Sequence, residues 1–241
     1  MKKTIHSLFA LSLFLTLCTV GCGAVPHSDG SSKVSFKTDD GWVIIGNLYT
    51  PRGTSKGKVL LLHERGGQAL DWDSLCSSLK AAGFTVLAID QRGAGRSIKG
   101  PGPNGAGAPW NTGNDIAAAI KFLHTSKPIG IAGASYGANN ALLYAAAHQN
   151  QVSTLLLLSP GEDYNGLKAV PPARIYHGSV FIMYGKSDKI VGNGPEEIAK
   201  TLPGKNHILA PVDGSEHGTD LLNKNTIPTF TAFFLKTLGH N

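Results

Sequence analysis

Cysteine is scarce in this chain, with three copies among 241 residues. Cys18 and Cys22 lie in or directly after an apolar amino-terminal stretch, which leaves Cys76 alone in the rest of the chain. A single cysteine cannot form an internal disulfide, even in an oxidising compartment. Cys76 lies within a helical pattern of apolar residues, and this position favours a packed thiol over a nucleophile.

Charged residues are also few, at 16% of the chain, and the formal net charge is +6. No basic run follows Lys2 and Lys3, and basic residues do not interleave with aromatic ones, so nothing in the sequence points to nucleic-acid binding. Internal repeats and low-complexity blocks are missing as well. The length and the 30 glycines suit one turn-rich α/β domain and disfavour a disordered chain or two full domains.

The amino terminus has the pattern of an export signal. A positively charged start precedes an apolar stretch, residues 8–20, which is shorter than the roughly 20 residues that a membrane-spanning helix needs. The stretch leads into Thr-Val-Gly-Cys, ending at Cys22. This tetrapeptide resembles the lipobox of bacterial lipoproteins, although an aliphatic residue is usual where Thr19 stands.

The lipobox resemblance implies a signal peptide at residues 1–21, a lipidated Cys22 and a membrane anchor. The alternative is an ordinary secretory signal that is cleaved nearby. Both interpretations predict export from the cytoplasm. Small and polar residues then predict a flexible tether over residues 22–33, followed by a folded domain over residues 34–241.

Hydrophobic runs bounded by turn residues predict eight strands. The first two form a hairpin around an Asp-Asp-Gly turn, and from residue 58 onward strands alternate with helical patterns. This alternation predicts an α/β fold with a mostly parallel eight-stranded sheet and helices on both faces. The predicted strands are residues 34–36, 42–49, 58–62, 84–89, 128–132, 153–158, 180–184 and 207–212. The predicted helices are residues 71–82, 114–124, 138–145 and 219–238, with Pro228 marking a bend or the true start of the last one.

Residues 133–137, Gly-Ala-Ser-Tyr-Gly, are the most informative feature of the chain. They follow a predicted strand and precede a predicted helix, the context in which Gly-x-Ser-x-Gly forms a nucleophile elbow. The serine, Ser135, then lies on a tight turn with its hydroxyl above the sheet, and the two glycines avoid collisions where strand and helix meet. The motif predicts a serine hydrolase and calls for a base, an acid and an oxyanion hole.

Two loops at carboxyl ends of later strands supply candidate partners for Ser135. Asp188 follows the seventh predicted strand, where it could orient an imidazole, and Asp163 is a weaker alternative after the preceding strand. His217 lies in a glycine-flanked loop after the last strand and is the candidate base. The chain order Ser135, Asp188, His217 is the order of the α/β-hydrolase arrangement.

The loop at residues 63–67 follows the third predicted strand and is the candidate oxyanion loop. Acyl transfer needs two backbone N–H groups directed at the developing negative charge. Tyr136, the residue after the nucleophile, should supply one; Arg65 is the first choice for the other and Glu64 the second. The charges of Glu64 and Arg65 would then pair with each other or reach the substrate, and His63 would be a structural hydrogen-bonding residue beneath the loop.

Together these motifs resemble the α/β-hydrolase superfamily over about residues 34–238. The run Asp-x-Arg-Gly-x-Gly-x-Ser at residues 90–97 belongs to the resemblance, which implies a structural turn there rather than catalytic groups. The chain is most similar to small dienelactone-hydrolase and acyl-peptidase-like esterases, but Ser135 stands where those dienelactone hydrolases have cysteine. Only about twenty residues separate the sixth and seventh predicted strands, so we expect no sizeable cap domain.

The resemblance implies hydrolysis of a carboxylic ester through an acyl-enzyme, with no metal and no organic cofactor. A shallow, uncapped site should favour small or short-chain acyl groups, or the exposed end of a larger substrate. A serine peptidase or a thioesterase with the same three residues is the alternative. A catalytically inactive, lipid-anchored binding protein is the second alternative.

Overall fold

The computed structural model describes residues 25–26, 30–101 and 112–239 of the chain. The predicted signal peptide, residues 1–21, and the predicted lipidation site, Cys22, lie outside the described residues. Among the residues described, no helix combines the length and the apolar character that a membrane crossing requires.

The core of the described chain is a nine-stranded sheet in the order β1-β2-β3-β5-β4-β6-β7-β10-β11. Six strands run parallel to one another: β5, β4, β6, β7, β10 and β11. At one edge, β1, β2 and β3 pair antiparallel, and β3 is also antiparallel to β5. The strands are β1 (Val25–Pro26), β2 (Ser31–Lys37), β3 (Val43–Tyr49), β4 (Lys58–Leu62), β5 (Thr85–Asp90), β6 (Ile129–Ala134), β7 (Val152–Leu158), β8 (Asp163–Tyr164), β9 (Leu167–Lys168), β10 (Ser179–Gly185) and β11 (His207–Val212). All eight predicted strands are present, so the mostly parallel sheet is confirmed.

The ninth strand, β1, was not predicted, and it pairs with β2 through residues of the predicted tether. Val25 is opposite Lys33 and Pro26 is opposite Ser32. Strand β2 begins at Ser31, so the sheet starts before residue 34, the predicted start of the domain.

Helices cover both faces of the sheet, as predicted. They are α1 (Asp73–Ala81), α2 (Gly113–Phe122), α3 (Tyr136–Ala147), α4 (Val170–Ala173), α5 (Gly194–Thr201) and α6 (Thr226–Leu238). One core cluster packs α2, α3, α4 and α5 on one face, and a second packs α1 and α6 on the other. Alternate residues of β4 contribute to opposite clusters, Leu60 to the first and Leu61 to the second, because successive strand side chains point to opposite faces.

The predicted helix over residues 219–238 is wrong in its first third. A short 3₁₀ helix, Gly218–Leu221, is followed by a turn, and α6 begins at Thr226. The side chain of Asn223 accepts hydrogen bonds from the N–H groups of Asn225 and Thr226 at 2.9 and 3.2 Å. These side-chain bonds take the place of helical backbone hydrogen bonds at these two residues. Pro228 lies in the first turn of α6, where no intrahelical N–H bond is lost, so it marks the start of the helix.

A small hairpin and a four-residue helix occupy the connection between β7 and β10, and no large cap is present there. Strands β8 and β9 form a separate two-stranded sheet. Their turn consists of Asn165 and Gly166, with φ values of 54° and 87°. Two positive φ angles at Asn-Gly are typical of a type I′ hairpin. The Asn-Gly pair is therefore the sequence signal for this hairpin.

Candidate active site

Ser135 lies on the tight turn between β6 and α3, with φ 48° and ψ −116°. A non-glycine residue in this region is strained, and such strain is common at functional sites. A Cβ at Gly133 would collide with the carbonyl of Gly137, where strand and helix meet as predicted. A Cβ at Gly137 would instead collide with the carbonyls of Leu62 and His63, so this glycine lets α3 approach the end of the neighbouring strand β4.

His217 and Asp188 are joined by a hydrogen bond of 2.6 Å between Nδ1 and Oδ2. The Asp188 side chain is 2% exposed, and its other oxygen accepts the N–H of Ile190 at 3.0 Å. Asp163, the alternative acid, is exposed and accepts the N–H of Gly166 at 2.6 Å within the β8–β9 turn. The structure therefore pairs His217 with Asp188.

Ser135 and His217 line one cavity of about 360 Å³. The two residues predicted to form the oxyanion hole, Arg65 and Tyr136, line the same cavity. Its other lining residues are Glu64, Asp163, Tyr164, Asn165 and Ile190. Loops that are far apart in sequence thus meet at the carboxyl edge of the parallel strands, where α/β sheets bind their ligands.

Arg65 occupies the second position of a tight turn. The N–H of Gly67 donates to the carbonyl of Glu64 at 3.0 Å, and Gly66 has φ 81°. A positive φ at the third position is characteristic of a type II turn, which explains the glycine there. Tyr136 is the first residue of α3. Its backbone therefore lies at the positive end of the helix dipole.

His63 supports the candidate oxyanion loop from beneath. Its Nε2 accepts the N–H of Gln91 at 2.9 Å, so Nδ1 carries the proton and donates to the carbonyl of Glu64 at 2.6 Å. Burial lowers the pKa of His63, which favours this neutral form. Gln91 also donates from its side chain to the carbonyl of His63 at 2.7 Å. Both nitrogens are engaged, which fits the predicted structural role.

The carboxylate of Glu64 binds Thr219, a contact that the sequence did not suggest. It accepts the Thr219 hydroxyl at 2.6 Å and the Thr219 N–H at 3.3 Å. Glu64 belongs to the candidate oxyanion loop, and Thr219 is two residues beyond His217. This contact therefore joins the loop of the candidate base to the loop after β4.

The run at residues 90–97 builds a turn beside the site that is anchored by buried side chains. Asp90 accepts the N–H groups of Ala69 and Arg96 at 2.7 and 2.9 Å, and it is 1% exposed. The Ser97 hydroxyl accepts the N–H of Ile45 at 2.8 Å. These side chains hold backbone groups in place, as the resemblance implied.

Arg92 joins this turn to the first hairpin and to α2. Its Nη1 and Nη2 bind both oxygens of Asp40 at 2.6 and 3.0 Å, and its Nε donates to Asp115 at 2.8 Å. The hydrogen bonds from Arg92 hold the pKa of Asp40 well below its usual range. The guanidinium also lies 5.4 Å from the centre of the Trp42 ring.

The sheet order, the helices on both faces and the strand–Ser135–helix turn define an α/β-hydrolase of the serine-hydrolase type. Residues 53–178 match the serine aminopeptidase S33 family, and the chain belongs to this family. The match includes Ser135 and ends before Asp188.

Solved structures of the same fold include an esterase of Pyrococcus furiosus, with a TM-score of 0.71 and 18% identity over 86% of this chain and 91% of that one. The structure of Est1E from Butyrivibrio proteoclasticus with bound ferulic acid has a TM-score of 0.71 and 19% identity over 85% and 98% of the two chains. At these identities the likeness shows the shared fold.

Two curated relatives match about half of the chain. One is the thiohydrolase apmlB of Arthrinium phaeospermum, 33% identical over 135 residues, which are 54% of this chain and 43% of the relative. The other is a proline iminopeptidase of Thermoplasma volcanium, 29% identical over 141 residues, which are 56% and 45% of the two chains. The matched segment thus spans less than half the length of each of these relatives.

Proposed function

We propose that this protein hydrolyses carboxylic esters through an acyl-enzyme formed on Ser135. The observation that carries the proposal is the 2.6 Å bond between Asp188 and His217, with His217 and Ser135 on the wall of one cavity. A strained serine at a strand–helix turn, a histidine and a buried carboxylate are the components that acyl transfer requires.

His217 is the proposed base and then the acid. Because its Nδ1–H is held by Asp188, its Nε2 is left without a proton and can take the one from Ser135 as the hydroxyl attacks the ester carbonyl. The imidazolium then gives this proton to the leaving alcohol. Water repeats the cycle on the acyl-enzyme and releases the acid. Asp188 orients the ring and stabilises its charge throughout.

The backbone N–H groups of Tyr136 and Arg65 are the proposed oxyanion hole. Both residues line the cavity that contains Ser135, which supports this assignment. The dipole of α3 favours negative charge near Tyr136, and the turn that holds Arg65 is fixed by His63 from below. Donors that are already in place need no reorganisation as the charge develops.

The structural neighbour from Pyrococcus furiosus supports esters over other acyl compounds, because it is named an esterase. The curated relatives favour the alternative, because their names specify a thiohydrolase and an iminopeptidase, which would act on thioesters and on peptides. The uncapped cavity of about 360 Å³ supports small or short-chain acyl groups. A relationship to dienelactone-hydrolase and acyl-peptidase-like esterases remains a prediction from sequence.

The test is to compare the wild type with Ser135→Ala on a substrate panel. The panel contains p-nitrophenyl acetate and butyrate, an acetyl thioester and proline p-nitroanilide, and a fluorophosphonate probe reports the nucleophile directly. We expect the wild type to prefer the esters and to label, and the variant to lose several orders of magnitude in kcat without labelling. A Ser135→Ala protein with wild-type ester hydrolysis would refute the mechanism. A folded wild type that neither labels nor hydrolyses any substrate would favour the inactive binding protein.

We also propose that the protein is exported and anchored to a membrane by a lipid on Cys22, on the strength of the lipobox resemblance. The test is expression of the full chain in a bacterial host with separation of membranes from soluble material. We expect the wild type in the membrane fraction and Cys22→Ser outside it. Equal partition of the two proteins would refute the anchor.

A further inference from the structure

Ser159 is the first residue after β7, and its backbone is strained. Its φ is 50°, in the left-handed region that favours glycine, and its side chain is fully buried. Serine there is less favourable for the backbone than glycine would be. A strained residue persists where its surroundings hold it, which directs attention to what the side chain contacts.

The polar groups of Ser159 bind segments that lead to the proposed catalytic residues. Its N–H donates to the carbonyl of Met183 at 2.8 Å, in the strand that ends shortly before Asp188. Its Oγ accepts the N–H of Gly218, the residue after His217, at 3.0 Å. Both contacts are buried, where a hydrogen bond is costly to leave unmade.

The carbonyl of Ser159 binds Tyr164, which lines the same cavity as the proposed nucleophile Ser135. The Tyr164 hydroxyl donates to this carbonyl at 3.1 Å. The Tyr164 ring lies against Gly161, where an added Cβ would be 2.7 Å from ring atom Cε1. The N–H of Ser135 donates at 2.7 Å to the carbonyl of Leu158, the residue before Ser159.

We propose that Ser159 is a positioning residue for the proposed hydrolysis, acting through the bond from its hydroxyl oxygen to the N–H of Gly218. This inference rests on the proposed function of Ser135 and His217. The bond fixes the backbone directly after His217 relative to the end of β7, to which the backbone of Ser135 is also bonded. Without it, the distance from the imidazole to the Ser135 hydroxyl is no longer held from this side.

Two substitutions separate the effect of the Ser159 hydroxyl from the effect of its backbone strain. Ser159→Ala and Ser159→Gly both remove Oγ, but only glycine relieves the positive φ. We expect kcat for p-nitrophenyl acetate to fall roughly 10- to 100-fold in both variants, because small displacements of catalytic groups have effects of this size. KM should stay within about twofold of wild type, and the glycine variant should melt at a higher temperature than the alanine variant.

The matched control is Ser153→Ala, on β7, the strand that directly precedes Ser159. The Ser153 hydroxyl is buried and has no hydrogen-bond partner within the described part of the chain, so its removal should leave kcat unchanged. Wild-type kcat in folded Ser159→Gly would overturn the proposal. A loss of kcat no larger than the unfolded fraction measured by circular dichroism would overturn it as well. If Ser159→Ala does not fold, the glycine variant decides. A wild type that fails to label with fluorophosphonate would instead refute the proposed function.

Discussion

Replacing Asp188 with asparagine should reverse the hydrogen bonding of His217 without changing the shape of the site. One carboxylate oxygen accepts the N–H of Ile190 at 3.0 Å, and the other accepts Nδ1–H of His217 at 2.6 Å. An asparagine must keep its oxygen on Ile190, because its NH₂ group would face another donor there. The NH₂ group then faces His217, whose Nδ1 becomes an acceptor, and the ring proton moves to Nε2. An imidazole in this tautomer cannot take the proton of Ser135.

The expected loss is large because the side chain at position 188 is 2% exposed and cannot turn toward solvent. The equivalent change in serine proteases lowers kcat by about 10⁴-fold, and we expect roughly 10³- to 10⁴-fold here. This corresponds to about 4 to 5.5 kcal/mol of lost transition-state stabilisation. KM should change little, because Asp188 contacts His217 rather than the cavity.

The assay is steady-state hydrolysis of p-nitrophenyl acetate together with the rate of fluorophosphonate labelling. Asp163→Asn is the matched control, because Asp163 lines the cavity but binds only within the hairpin turn, and we expect its kcat within about threefold of wild type. Less than a tenfold loss in folded Asp188→Asn, or an equal loss in Asp163→Asn, would show that the buried carboxylate does not set the tautomer.

Gly137→Ala should destabilise the fold by at least about 2 kcal/mol in urea unfolding, because its methyl group would lie 2.6 Å from the carbonyl oxygen of His63. Wild-type stability of this variant would contradict the close approach of α3 to the end of β4. Leu61→Ala should cost about 2–5 kcal/mol in the same assay, whereas Ile208→Ala, at a site 46% exposed, should cost much less. Asp40→Asn should lower the melting temperature at pH 7. Because the folded-state pKa of Asp40 is depressed, its contribution is present above the unfolded pKa of about 3.9 and is lost as pH falls toward the folded value. The difference in melting temperature should therefore shrink below about pH 4, and a constant difference would mean that Arg92 does not favour the carboxylate.

Local patterns were enough to predict the fold because central strands such as β4 and β10 are apolar runs that can be recognised by themselves. Strand β4 is nearly all buried and reads as a continuous apolar segment, as expected between parallel neighbours. The turn at Ser135 is equally local, since two glycines and a strand–helix junction suffice to identify it. The last helix was harder, because the Asn223 turn competes with a helical pattern that extends across it.

Contacts between loops could not be predicted from the sequence. The bond from Glu64 to Thr219 joins residues 155 positions apart, and no pattern near either residue specifies the other. Ser159 likewise gave no signal, because a serine after a strand is common and its positive φ is visible only in three dimensions. The choice between Asp163 and Asp188 as partner of His217 also needed the structure, since both follow strands and both fit the chain order.

The sequence by itself determined the α/β class, the strand–Ser135–helix turn and the order of its candidate partners, because hydrophobic periodicity and turn residues act over a few neighbours. The tertiary structure decided which carboxylate meets His217, and it brought Ser159, Tyr164 and Glu64 to the site. The physical reason is that sheet order places the carboxyl ends of β4, β6, β7, β10 and β11 side by side. Loops remote in sequence become neighbours only once those strands have paired.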